Sequence, residues 1–203
     1  MKVTHIPKVT EEHNIQQELD LSALSNDTEL EPDVVARGAD VQAVKVQVEQ
    51  IAERQRQITA QLQIPQPVER VWKVLTDYEA LAEFVPNLTK SRLLEHPQGG
   101  IRLEQVGSGR FLRIDFCARV VLDLEEYFPK EINFRMVEGD FKDFSGTWLL
   151  DPYPLGENWG TRLCYTVKVW PKRTMPVGMI ERRLSSDMQL NLLAIKQRVS
   201  EYF

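Results

Sequence analysis

This sequence of 203 residues has only two cysteines, no long apolar run and no excess of positive charge. Its apolar runs all fall short of the roughly 18 residues that predict a transmembrane helix. Residues 1–10 lack a continuous apolar core and are followed by Glu11 and Glu12, a pattern that argues against a secretory signal. Cys117 and Cys164 form neither a CxxC pair nor a metal-ligand spacing, so we expect reduced thiols in a cytoplasmic protein. The net charge of -5 argues against a nucleic-acid partner.

Aromatic residues and charge are unevenly distributed along the chain. Every aromatic residue lies at or after Trp72, and residues 1–40 carry three basic against nine acidic side chains. Such a segment buries too little apolar area to offset its ordering entropy. We therefore expect residues 1–40 to be an acidic, disordered extension. We expect its histidines, His5 and His13, to be solvated, and we predict no metal site and no cofactor.

Alternating apolar and polar residues predict strands from residue 41 onward. Residues 41–53 are predicted as an added strand or linker, and residues 54–64 as the first strand of a main domain that spans 54–203. Two short helices follow. No basic recognition helix comes after them, so the pair is not predicted to bind DNA. Further strands are predicted at 91–96, 101–106, 111–127, 132–136, 145–150 and 162–170; the first two are predicted to form a hairpin, and a turn at 107–109 to end the second.

A long helix is predicted from Pro176 to about Tyr202. Its apolar residues recur at spacings of three and four and form one stripe: Val177, Ile180, Leu184, Met188, Leu192, Ile195, Val199 and Tyr202. About 27 residues at 1.5 Å each give a length of about 40 Å, which is enough to cross a sheet. The element order therefore predicts an α+β helix-grip fold, in which a curved antiparallel sheet wraps around the long C-terminal helix.

One stretch of the chain carries a family resemblance. Residues 65–94 contain the run Pro-x-Pro-Val-x-x-Val-Trp-x-Val-Leu-Thr-Asp-Tyr-Glu-x-Leu-x-x-Phe-Val-Pro, which resembles the START-like superfamily. The run is most similar to the polyketide cyclase/dehydrase and lipid-transport branch, close to the coenzyme Q-binding family. Residues 121–148 agree with that branch, and the resemblance covers about 54–203. It implies a helix-grip with a ligand cavity, but it does not identify the ligand, because fold does not fix function.

A helix laid across a curved sheet can leave an apolar cavity, and such concave sites bind small molecules. Each candidate for the wall of this cavity could instead belong to an ordinary packed core. The candidate ligand-binding residues are Phe84, Ile114, Phe116, Phe134, Met136, Trp148, Tyr165, Met179, Leu184 and Met188.

Catalytic groups are scarce in the main domain. His96 is its only histidine and precedes a proline in a turn, where we expect a solvated side chain. Glu125 and Glu126 are adjacent on a strand and therefore point to opposite faces. Tyr165 could donate a hydrogen bond into a cavity or be satisfied by a local partner. We therefore predict no catalytic residues and favour binding over catalysis.

The loop before the long helix combines Trp170, Lys172, Arg173 and Met175. Cations and an aromatic ring in one loop are typical of weak, reversible contact with a membrane surface, which we expect here and which the acidic extension would tune. The alternative is a loop whose apolar residues pack inward.

Three functions remain open from the sequence. The leading hypothesis is binding or carriage of a lipophilic small molecule, a lipid or an isoprenoid quinone, in the cavity between sheet and helix. The alternative is a cyclase or dehydratase that acts on a polyketide-like substrate, which predicts charged side chains converging in the cavity. The third is an interaction protein whose acidic arm attracts a basic partner, which predicts a filled core. The oligomeric state is not predicted.

Overall fold

The computed structural model describes residues 43–111 and 114–203, which form one antiparallel sheet, two short helices and a long helix. The strands are β1 (Lys45–Ala52), β2 (Gln55–Ile64), β3 (Leu88–Leu94), β4 (Ile101–Phe111), β5 (Ile114–Tyr127), β6 (Glu131–Gly139), β7 (Asp143–Leu155) and β8 (Asn158–Trp170). The helices are α1 (Val68–Leu75), α2 (Leu81–Phe84) and α3 (Val177–Tyr202). The eight strands are ordered β1-β2-β8-β7-β6-β5-β4-β3. This is the predicted helix-grip.

The core lies between the concave face of the sheet and α3. Strand β2 alternates as predicted, and its inward residues Ile58, Leu62 and Ile64 are buried. The helix contributes a stripe at spacings of three and four, of which Met188 and Leu192 are fully buried. Burying one such side chain stabilises the fold by about 1.5–3 kcal/mol. The stripe therefore fixes which face of α3 meets the sheet.

Helices α1 and α2 lie at one side of the sheet, and Tyr78, in the segment between them, is hydrogen-bonded to two strands. The Tyr78 hydroxyl donates to Glu126 Oε1 on β5 at 2.6 Å, and its carbonyl accepts from the Ser91 hydroxyl on β3 at 2.6 Å. The helix α1 buries Val71, Trp72 and Leu75 on a single face. The aspartate-tyrosine sequence at 77–78 thus ends one helix and ties the next to the strands.

The predicted turn at 107–109 is wrong, whereas the predicted hairpin is present as the antiparallel pair β3–β4. Strand β4 continues through Gly107 and Ser108 to Phe111, and these residues pair with Ala118 and Cys117 on β5. Glycine disfavours strands, which is why the pattern predicted a turn. Here the segment is held in the strand from both sides. It pairs with β5 on one side, and on the other the Ser108 N–H donates to the Asn87 carbonyl at 2.8 Å.

The two ends of the main body have different outcomes. Part of the predicted segment 41–53 is an added strand, because Lys45–Ala52 form β1 and pair with β2 at the sheet edge. Tyr202, predicted to extend the apolar stripe of α3, is 57% exposed because the helix projects past the core there. The prediction made for residues 1–40 lies outside the described residues.

Candidate functional site

A cavity of about 190 Å³ lies between the sheet and α3. Its wall comes from the helix pair and the loop after it, from strands β4 to β8 and from α3. A cavity of about 150 Å³ is large enough to bind benzene. The space therefore accommodates a ring or a short chain, and a longer ligand would leave its remainder outside or widen the wall.

Stacked aromatic rings form one wall of the cavity. Trp148 and Tyr165 face each other on neighbouring strands, with ring centroids 3.7 Å apart and planes 3° from parallel. The ring of Phe134 lies 6.0 Å from Tyr165 and 5.8 Å from Phe144, so four rings support one another. Gly146 makes room for this cluster, because a Cβ there would overlap the Phe134 ring and the Thr166 carbonyl oxygen.

Apolar side chains supply most of the remaining wall. They come from different elements, so no single segment of sequence carries the pattern. Beyond the aromatic cluster, they include Leu75, Leu103, Val120, Leu122, Ile132 and Ile195. All six are buried in the empty protein, so a ligand here would contact an apolar surface with little water to displace.

Polar groups gather at the mouth, where α3 meets β4 and the loop before β3. Arg183 Nε lies 2.8 Å from Asp187 Oδ2, one helical turn away. Asn87 Nδ2 donates to Asp187 Oδ1 at 3.1 Å, and Arg183 donates to the Ser108 carbonyl at 3.3 Å. Asn87 has a φ of 63°, a left-handed conformation that asparagine tolerates. These four residues, Asn87, Ser108, Arg183 and Asp187, are called the mouth cluster below.

Burial perturbs the ionisation of two groups in the wall. It raises the pKa of the Asp187 carboxyl, while the hydrogen bonds from Arg183 and Asn87 act in the opposite direction. Burial also raises the pKa of the Tyr165 hydroxyl, and the charge of Asp187 adds to that increase. The Tyr165 hydroxyl has no hydrogen-bond partner within residues 43–111 and 114–203. It is thus a neutral donor left available beside the cavity.

The predicted site residues divide into three groups. Phe134, Trp148, Tyr165 and Leu184 line the cavity. Phe84, Met136, Met179 and Met188 lie outside its wall: Met188 is buried in the core, Met136 and Met179 pack against the core, and Phe84 lies under the Arg198 guanidinium. The side chains of Ile114 and Phe116 lie outside the described residues.

The mouth cluster was missed by the sequence analysis, and so was the cavity-lining Asn191. Arg183 and Asp187 lie off the apolar stripe of α3, a position that favours solvent-facing side chains. The spacing of four residues between opposite charges was the available signal. It indicated an ion pair, but only the long-range hydrogen bonds to Asn87 and Ser108 place that pair at a cavity.

The remaining sequence candidates lie away from the cavity. His96 is not solvated as expected, because it packs in its turn with Nε2 3.4 Å from Asp123 Oδ2. No group of residues that could hold a metal ion occurs in the part of the chain described. Both cysteines are free thiols, Cys117 exposed and Cys164 half-buried.

The loop at residues 170–177 packs onto the body in part, while Lys172, Arg173 and Thr174 are exposed. Met175 is half-buried against the core, and Pro171 is buried. Lys172 Nζ donates to the Gly139 carbonyl at 3.1 Å, while Lys142 Nζ lies 4.0 Å from the centre of the Trp170 ring. None of the helices within the described ranges is long and apolar enough to cross a bilayer. Contact of this loop with a membrane surface stays a prediction.

Sequence comparison identifies the family. The profile described as "Polyketide cyclase / dehydrase and lipid transport" matches residues 64–193, which is more than half of the chain. The chain belongs to this family. The description covers both catalysts and lipid carriers, so it leaves the role of this member open. A search of curated protein sequences gives no significant match.

Several solved structures share the fold. An aromatase/cyclase from a Streptomyces species is 19% identical, with a TM-score of 0.57 over 72% of this chain and 94% of that one. A STAR-related lipid transfer protein from Xanthomonas axonopodis is 17% identical, with a TM-score of 0.59 over 78% of this chain and 94% of that one. A START superfamily protein from Mycobacterium smegmatis is 17% identical, with a TM-score of 0.58 over 72% and 99%. At these identities the likeness shows the fold alone.

Proposed function

We propose that this protein binds and carries a lipophilic small molecule in the cavity between the sheet and α3. The observation that supports this most is the composition of the described wall, which is mostly apolar and aromatic and has polar side chains at the mouth cluster and at Tyr78, Gln105, Tyr165 and Asn191. Burial of the ligand would supply about 25 cal/mol per Å² of apolar surface, and the polar groups would orient one end.

The size of the cavity narrows the kind of ligand. At about 190 Å³ it holds a ring or a short chain. An isoprenoid quinone would place its ring inside and leave most of its tail at the mouth. A lipid with a short or partly inserted chain fits the same description. The filled core expected of a pure interaction protein is not what residues 43–111 and 114–203 form.

The proposal is tested by identifying what the protein carries. Native mass spectrometry of protein from its source, followed by organic extraction, should give a stoichiometric apolar compound. Ala118→Leu would fill the cavity, because Ala118 is buried and lines it. The variant should lose the compound while remaining folded.

A matched control lies on the same strand. Cys117→Leu adds a leucine to the exposed face of β5, next to Ala118. The control should retain the compound. Equal occupancy in both variants, or an Ala118→Leu protein that binds as well as wild type, would contradict binding in this cavity.

The second candidate is a cyclase or dehydratase, and the mouth cluster is the observation that favours it. Arg183, Asp187 and Tyr165 are polar groups in the cavity wall, which the enzyme hypothesis predicts. However, Arg183 and Asp187 bond to each other, which leaves the Tyr165 hydroxyl and the Asn191 amide as uncommitted polar groups of the described wall. Returning the extracted compound to the protein distinguishes the two functions. Recovery at unchanged mass and unchanged chromatographic retention supports carriage, an isomer of the same mass supports the cyclase, and a product lighter by one water supports the dehydratase.

A further inference from the structure

The charged pair at the mouth of the cavity is largely sequestered from solvent. The Arg183 side chain is 12% exposed and that of Asp187 is 22% exposed. Both carboxylate oxygens of Asp187 are engaged, one by Arg183 and one by Asn87. Arg183 is held in turn by the Ser108 carbonyl. Its positive charge is therefore committed to a neighbour inside the protein.

This ion pair determines how favourably a charged group of a ligand could bind at the mouth. Within the described wall, Arg183 and Asp187 are the only charged side chains, and their charges cancel. A second carboxylate placed beside Asp187 would lose its hydration and meet a like charge without gaining a free cation. The burial that raises the pKa of Asp187 indicates that this environment already disfavours negative charge. An uncharged hydroxyl or carbonyl carries neither penalty.

We propose that Asp187 is a specificity residue that excludes anionic amphiphiles by occupying Arg183, so that the cavity selects uncharged lipophiles such as alcohols over carboxylates of equal chain length. This inference rests on the proposed function, because it presumes that the cavity binds a ligand. It identifies the ligand class at one end as neutral and oxygen-bearing, with Tyr165 available as a donor to that oxygen.

Removing the acid should reverse the preference. Asp187→Asn keeps the side chain close to its original shape but leaves Arg183 as an uncompensated cation at the mouth. A carboxylate could then form a charge-assisted hydrogen bond with the guanidinium, and such bonds are about twice as strong as neutral ones. The single substitution would thus convert a binder of neutral amphiphiles into a binder of fatty acids.

Octanol and octanoate are suitable probes, because each has eight carbons in an unbranched chain and only octanoate is ionised at neutral pH. Each is titrated against the full-length protein loaded with Nile red, a neutral fluorescent dye, and displacement gives the Kd. Wild type should bind octanol at least about tenfold more tightly than octanoate. Asp187→Asn should bind octanoate about tenfold more tightly than wild type does, with little change for octanol.

Two controls separate this effect from net charge. Glu181→Gln removes an acid from the same helix and should leave both affinities unchanged. Glu181 does not line the cavity, and its carboxylate lies 2.7 Å from Arg56 Nε. The double variant Arg183→Gln/Asp187→Asn should return octanoate to wild-type affinity, because the gain requires the guanidinium. Asp187→Ser removes the same charge and replaces Asp187→Asn if that protein does not fold.

The outcomes distinguish failure of the inference from failure of the proposed function. An octanoate gain in Asp187→Asn that is absent from Glu181→Gln and lost in the double variant supports the inference. Octanol binding with no octanoate gain in the folded Asp187 variant overturns the inference and leaves the carrier function standing. No displacement by either probe from any variant overturns both.

Discussion

The ring of Trp148 stacks on the ring of Tyr165 at a centroid distance of 3.7 Å, across the pair of strands that forms the back of the cavity. The two residues are direct cross-strand neighbours, and both line the cavity. Aromatic pairs contribute about 0.5–1.5 kcal/mol beyond their buried area. The stack therefore makes this wall a firm surface, while the Tyr165 hydroxyl supplies a donor beside it.

Substitutions can measure the contributions of the ring stack and of the Tyr165 hydroxyl to stability independently. Tyr165→Phe keeps the ring and should change the free energy of unfolding by less than about 0.5 kcal/mol, because the hydroxyl has no partner to lose in the described protein. Trp148→Ala removes the stack and should cost about 3 kcal/mol. Urea unfolding measures both. A large destabilisation in Tyr165→Phe would mean that the hydroxyl is satisfied inside the protein and is not available to a ligand.

Gly146 offers a second test of the aromatic wall. A methyl group there would overlap the Phe134 ring and the Thr166 carbonyl oxygen, so Gly146→Ala should cost about 1–3 kcal/mol. Gly178 is the matched control, because it lies in the first turn of α3 with no atom near its would-be Cβ. There, Gly178→Ala should stabilise by about 0.5–1 kcal/mol. Thermal unfolding of the two variants should shift in opposite directions, and a neutral Gly146→Ala would refute the close packing.

The sequence was sufficient to predict the architecture because its signals are local. Period-two alternation located the strands, and the stripe of α3 located the face that meets the sheet. The error at residues 107–109 arose from a non-local cause. Glycine and serine favour turns by local preference, but pairing with β5 and the Asn87 carbonyl keep Ser108 in the strand.

The cavity was predictable only in part, for a geometric reason. Alternation separates inward from outward residues, but it cannot distinguish an inward residue that meets another side chain from one that meets empty space. Met188 and Leu184 belong to the same apolar stripe, yet Met188 is packed among other side chains in the core and Leu184 lines the cavity. The mouth cluster depends on hydrogen bonds that join α3 to Asn87 and Ser108 far along the chain, and no periodicity encodes such contacts.

A buried carboxylate on the sheet makes stability depend on pH. Glu104 is 3% exposed, and its carboxylate lies 2.6–2.7 Å from the charged nitrogens of Lys90, Arg92 and Arg119. Hydrogen bonds from Lys90 and then Arg119 lower the pKa of Glu104 to about 2 from an ordinary value of 4.5. The folded state therefore binds the Glu104 proton more weakly than the unfolded state does.

The sign of the resulting effect follows from linkage. With the folded pKa below the unfolded one, the stabilisation is fully present above about pH 4.5 and is lost as the pH falls toward about 2. Glu104→Gln should lower stability at neutral pH and flatten its decline in acid, as measured by urea unfolding across that range. Glu138→Gln is the control, since Glu138 also pairs with Arg119 but is 68% exposed, and its acid decline should match wild type. A wild-type slope in Glu104→Gln would contradict this assignment.

The last prediction concerns the tyrosine that pins the helix pair to the sheet. Tyr78 is 7% exposed and donates to Glu126 at 2.6 Å, whereas Tyr127 is 55% exposed and donates to Glu125 at 3.1 Å. Tyr78→Phe should cost about 1 kcal/mol, and a double-mutant cycle with Glu126→Ala, which removes the acceptor, should recover most of that as coupling. Tyr127→Phe, the same change on an exposed ring, should stay within about 0.5 kcal/mol. Urea unfolding of the variants decides the matter, because equal costs at the two tyrosines would mean that the Tyr78 bond does not anchor the helices.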